Sequence, residues 1–142
     1  MDTVVKAQGL GRRFGRRWAV ARLDLEVGAH ERLLVIGPNG CGKTTLLNVL
    51  STLTPPSQGH LELMGGKSNP RADIGLMGHS AGVYEDLSAS DNLMVFARMS
   101  HRDPSQIPAL LETVGLDLRP DPVARYSAGM RRRLALAQLL QA

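Results

Sequence analysis

The feature that most constrains this chain is a run of eight residues, Gly37-Pro38-Asn39-Gly40-Cys41-Gly42-Lys43-Thr44. Its glycines let the backbone curl until successive N–H groups point at one spot, a concavity suited to an anion. Lys43 adds a positive charge able to reach terminal phosphates, and the Thr44 hydroxyl is a ligand type that suits magnesium. The flanks supply the context such a loop requires. Before it, Glu31 to Ile36 carries the apolar run Leu33-Leu34-Val35-Ile36, which predicts a strand buried on both faces. After it, Lys43 to Leu53 predicts a helix with Leu46, Leu47 and Leu50 on one face, stopped by Pro55-Pro56-Ser57. The N-terminal dipole of that helix would be directed at the same anion. Cys41 occupies a position the pattern leaves free, so packing or neutrality is reason enough for it.

Around this centre the chain reads as alternating strands followed by helices. Val4, Val5 and Ala7 open one strand, and Leu23, Leu25 and Val27 alternate with Asp24 and Glu26 in a second, a plausible antiparallel pair. From Gly59, Leu61 and Leu63 point inward and His60 and Glu62 outward, up to Gly65-Gly66. Lys67 to Asp73 is polar and holds Asn69-Pro70, a loop signal, and Ile74 to Met77 is a short strand candidate. Ser88 with Asp91 three residues on approximates a capping box for a helix carrying Leu93, Met94, Phe96, Ala97 and Met99. Two more helices are predicted, from Ser105 to Val114 before Gly115, and from Ser127 to the end with Leu134, Leu136, Ala137, Leu139 and Leu140 as its apolar surface.

The 142 residues suffice for one folding unit with a core and leave little room for a second. With 43% hydrophobic and 21% charged residues the chain should fold, and no apolar run approaches the roughly 18 to 20 residues a membrane-spanning helix needs. The N-terminus has no secretory pattern, so a cytoplasmic address is expected. One cysteine excludes an internal disulfide and a cysteine metal cluster. The net charge of +4 gathers as arginine at Arg12 to Arg17, Arg98 with Arg102, and Arg125 to Arg133. This permits nucleic acid, acidic lipid or phosphate as partners, or simply a solvated basic face.

A phosphate loop alone is compatible with transporter ATPases, GTPases, small-molecule kinases and chromosome-organising ATPases. Two segments discriminate. Gly37 through Thr44, continuing Thr45-Leu46-Leu47, resembles the Walker A segment of ABC-type ATP-binding subunits. Tyr126-Ser127-Ala128-Gly129-Met130, followed by Arg131-Arg132-Arg133-Leu134-Ala135-Leu136-Ala137, resembles the ABC signature segment and its helix. The residues agree with that reading, because Ser127 is a good N-cap and Gly129 permits close backbone approach.

The resemblance implies an α/β fold, a P-loop NTPase core with an N-terminal antiparallel β part and an inserted helical subdomain. The whole of 1–142 would be a partial domain of this kind, with the phosphate loop at 37–45, the helical subdomain at about 80–126 and the signature at 126–130. It implies ATP held by Gly37, Pro38, Asn39, Gly40, Cys41, Gly42, Lys43, Thr44 and Thr45, with Phe14 stacked on adenine and Mg2+ on Thr44. Ser127, Ala128, Gly129 and Met130 would address the ATP of a second ATP-binding subunit, in a homodimer or heterodimer. Membrane-spanning transporter subunits would be the further partners, docked near Tyr84 to Met99, Arg98 and Arg102, with the chain peripheral on the inner face of the cell membrane and no nucleic acid involved. His79 stands where the family's Q-loop carries glutamine, which puts metal contact there in doubt. That histidine and Ser-Ala-Gly are similar to haem-exporter subunits of cytochrome c maturation, although generic lipid or drug exporters share Ser-Ala-Gly-Met.

The family's Walker B aspartate, catalytic glutamate and switch histidine have no counterpart in this sequence, so it is expected to be an incomplete domain with no catalytic carboxylate and weak hydrolysis. A missing central strand should leave apolar surface and backbone groups unpaired. Two other functions stay open: a soluble ABC-type ATPase acting on nucleic acid or ribosomes, suggested by the basic charge, and an inert nucleotide-binding fragment.

Overall fold

A computed structural model describes residues 2–78 and 82–141. It divides the chain into two compact units, Met1–Leu76 and Met77–Ala142. The first is built on an antiparallel sheet of β1 (Thr3–Phe14), β2 (Arg17–Gly28) and β3 (Gln58–Leu63), in the order β2-β1-β3. Val5, Ala7 and Leu10 of β1 lie opposite Val27, Leu25 and Leu23 of β2, and Val5 and Ala7 also face Leu63 and Leu61 of β3. The apolar sets seen in the sequence thus share one face, as the two-residue period of a strand requires. β1 and β2 are 12 residues each and run on to a two-residue turn at Gly15-Arg16.

The helix α1 (Lys43–Leu50) covers this face. Ala7, Leu10 and Val49 are buried at the contact, with Leu23, Leu25, Leu46, Leu50 and Leu61 around them. The inward stripe is therefore 46-49-50, and Leu47, expected inward, is 45% exposed. Both assignments satisfy the helical spacing; only the seating of the helix on β1 decides between them. α1 also stops at Leu50 rather than Leu53, because residues 51–54 turn and Thr52 takes a φ of 63°. Beyond the turn the chain is strapped to the hairpin: Ser57 N–H donates to Gly11 O at 2.7 Å and Arg13 N–H to Ser57 Oγ at 3.1 Å.

Two expected strands are not formed. Residues 31–38 and 74–78 pair with no strand, and Leu34 and Ile36, read as buried, are each 81% exposed. A strand exists through its ladder, and among the described residues none lies beside either segment to accept or donate the bonds.

The second unit contains α2 (Ala89–Met99), α3 (Ile107–Thr113) and α4 (Ala128–Gln141), with 3-10 turns at Pro104–Gln106 and Val123–Arg125. Its core joins Leu93 of α2, Ile107 and Leu111 of α3, and Leu134 and Ala137 of α4, together with Val123 and Tyr126. Fully burying a side chain such as Leu93 contributes about 1.5–3 kcal/mol. The N-cap half of the capping box is formed: Asp91 N–H donates to Ser88 Oγ at 3.1 Å, while the Ser88 hydroxyl, rather than its backbone N–H, donates to the Asp91 carboxylate at 2.7 Å. Leu136 and Leu140 of α4, expected to be inward, are exposed.

One buried amide organises the approach to α2. Asn92 is 2% exposed; its Oδ1 accepts from Tyr84 N–H at 2.7 Å, and its Nδ2 donates to Tyr84 O, Leu87 O and Ser88 O. Leu87 O and Glu85 O in turn accept from the N–H groups of Val123 and Ala124, so the same loop carries the segment leading into α4. Asn92→Ala removes the partner of Tyr84 N–H and one of the two donors to each of the three carbonyls, which keep Leu87, Val123 and Asn92 N–H, and should lower the unfolding free energy by about 1–3 kcal/mol. Ile36→Ser, at an exposed position, should change it by less than about 0.5 kcal/mol. Urea titration followed by circular dichroism reads both; equal midpoints for the two variants would show that Asn92 does not hold this loop.

Candidate phosphate-binding site

The loop 37–42 is seated on β2 through a backbone contact. Gly42 has φ 108°, and a Cβ at that position would meet Ala19 O at 2.1 Å. No side chain fits, so residue 42 has to be glycine for α1 to begin here. Gly42 is also the N-cap of α1 and supplies no side-chain acceptor, which leaves first-turn N–H groups to be satisfied from outside the helix. Gly37 has a separate reason: its Cβ would come within 2.7 Å of Cys41 Sγ. Cys41, exposed, fills that space and donates its N–H to Pro38 O at 3.3 Å, closing the turn.

Lys43 folds back over the loop. Its ammonium donates to Gly37 O at 2.7 Å and Pro38 O at 2.8 Å and lies 3.8 Å from Cys41 Sγ. The positive charge therefore sits inside the curl of backbone. Pro38, Asn39, Gly40 and Thr44 are exposed, and Thr45 is half-buried. Among the described residues no group of three or more His, Cys, Asp or Glu side chains could hold a metal ion, so a cation here would rely on Thr44 and on ligand oxygens.

Phe14 closes β1 and is 54% exposed, so its ring is not part of the core. It lies opposite Arg17, two residues along β2 from Ala19, a separation of about 7 Å along the strand. The ring and the loop thus share the turn end of the hairpin. Arg12, which the sequence did not single out, lies with its guanidinium carbon 4.8 Å from the Phe14 ring centroid. An Arg-x-Phe alternation would have shown this had the strand been extended as far as Phe14. The contact of Gly42 with Ala19 has no sequence signal, since it is made by backbone.

Ser127, Ala128, Gly129 and Met130 belong to the second unit. Ser127 Oγ accepts from Met130 N–H at 3.2 Å, so it caps α4 as expected. Ser127, Ala128 and Gly129 are exposed, whereas Met130 leans on the core of its own unit. A Cβ on Gly129 would meet only Ser127 Oγ, at 3.9 Å, so nothing within the unit demands glycine there. Arg131 ties the start of α4 to the Asn92 loop, donating to Glu85 Oε1 at 2.7 Å and to Ala124 O at 3.4 Å. His79 lies outside the described residues. Two carboxyls are shifted: the Ser105 hydroxyl holds Asp103 below the usual range, and the Arg119 guanidinium does the same to Asp117.

Comparison with known proteins agrees with this geometry. The family described as ABC transporter matches residues 20–142. The chain is 40% identical to the cytochrome c biogenesis ATP-binding export protein CcmA 2 of Cupriavidus metallidurans, over 97% of this chain and 69% of that protein. It is also 40% identical to the daunorubicin resistance ATP-binding protein DrrA3 of Streptomyces coeruleorubidus, over 98% of this chain but 47% of that one. The chain is thus shorter than the relatives it matches. Its fold is similar to a solved ATP-binding subunit of an ABC transporter, with a TM-score of 0.84 at 21% identity, covering 98% of this chain and 62% of the other. With the phosphate loop, the capped α4 and the family match in agreement, the chain belongs to the ABC transporter family, as an ATP-binding domain.

Proposed function

We propose that the chain binds ATP with magnesium through residues 37–45 and serves as the ATP-binding subunit that powers transport by separate membrane subunits. The observation that carries the reading is the loop itself, closed on β2 by Gly42, with the Lys43 ammonium inside the curl and the uncapped start of α1 beneath it. Each residue then has a task. The backbone N–H groups of the loop and of Thr44 and Thr45 hold phosphate oxygens, and Lys43 exchanges its carbonyl partners for phosphate. Thr44 offers its hydroxyl to magnesium, which when bound neutralises charge on the phosphates. Phe14 stacks on the base. Ser127 and Gly129, at the exposed start of α4, approach the nucleotide of a second subunit.

Turnover by these 142 residues alone should be very weak, since no carboxylate in a Walker B context is present to orient water. Tyr84, Met99, Arg98 and Arg102 are exposed and available to membrane partners, and no helix among the described residues is long and apolar enough to cross a membrane. A role in export for cytochrome c assembly is supported by the cytochrome c biogenesis export protein, matched over more of its own length than the daunorubicin one, while a taurine import protein among the relatives carries the same domain in the opposite direction.

Calorimetric titration with magnesium and ATP tests the reading. The chain should bind saturably with negligible phosphate release. Lys43→Ala removes charge-assisted hydrogen bonds and should weaken binding about 10- to 100-fold. Gly42→Ala should abolish binding, because its methyl group displaces the loop from Ala19. A folded sample that takes up no ATP refutes the proposal.

A further inference from the structure

We propose that Arg12 is a positioning residue for the nucleobase: its guanidinium backs the Phe14 ring and leaves the opposite face for a purine. The inference rests on the proposed stacking role of Phe14 and adds the group that prepares the ring for it.

Two observations carry the argument. Arg12 is anchored independently of the ring, since its Nη1 donates to Pro55 O at 3.0 Å. Ser57, two residues on, is bonded to Gly11 and Arg13, so the segment carrying Pro55 is tied to β1. The guanidinium, 4.8 Å from the ring centroid, is within range of a cation–π contact with a ring otherwise 54% exposed at the end of its strand. Restraining such a ring before binding removes part of the ordering entropy that binding would otherwise incur.

The neighbouring pair shows the contrast. Arg13 lies 5.6 Å from the Trp18 ring, but the indole rests on the backbone of Gly11, where an added Cβ would meet it at 3.0 Å. Trp18 is held by the sheet. Phe14 is held by Arg12.

The test compares two probes, magnesium-ATP and magnesium with inorganic tripolyphosphate, which has no base. Arg12→Met, which keeps the stem and loses the charge, should weaken ATP binding about 3- to 10-fold and leave tripolyphosphate within about twofold. Arg12→Lys should fall between, as charge without the planar fork. In a Phe14→Ala background Arg12→Met should have no further effect on ATP. Equal weakening of both probes by Arg12→Met, or of neither, overturns the proposal. If Phe14→Ala leaves ATP affinity unchanged, the stacking role fails and the role of Arg12 with it, while tripolyphosphate binding still reports on the loop. Should Arg12→Met not fold, Arg12→Lys and the Phe14 background decide by the same comparison.

Discussion

The contact between Gly42 and the carbonyl of Ala19 is the constraint on which the first unit turns. Because residue 42 has no side chain, the loop can lie directly on β2, and α1 can start there with its axis over the apolar face of the sheet. Burial of Leu46, Val49 and Leu50 follows from that placement, and so does the alignment of the loop with the turn that carries Phe14. The contact that seats the helix on the sheet also fixes the course of the glycine loop.

The second unit has its own organising group. Asn92 satisfies four backbone groups at once, and the loop it holds is shared with the segment before α4. The Arg131–Glu85 pair is largely exposed and adds little stability. What it adds is geometry: the cap of α4 and the loop before α2 are joined by a charged fork and two backbone bonds, so the exposed Ser127–Gly129 turn is fixed relative to Tyr84 and Glu85.

Much of this was legible in the residues. The glycine pattern, the Ser88 and Ser127 caps and the alternation of Leu61 and Leu63 carry local rules that tertiary context did not override. Strand formation at 31–36 was not legible, because Leu33-Leu34-Val35-Ile36 records only that a strand would be buried if neighbours were there to pair with it. Leu47 and Leu136 show the same limit, since each lies next to a position that packs equally well. The contacts of Arg12 with Phe14 and of Ala19 with Gly42 escaped notice because one depends on how far β1 extends and the other is made by a backbone oxygen.

The open edge at 31–38 has a consequence for how the molecule is lost from solution. An extended apolar segment with unpaired backbone is a template for its counterpart in another molecule. Loss by that route requires a collision rather than an opening of the fold, so its rate rises with the square of concentration.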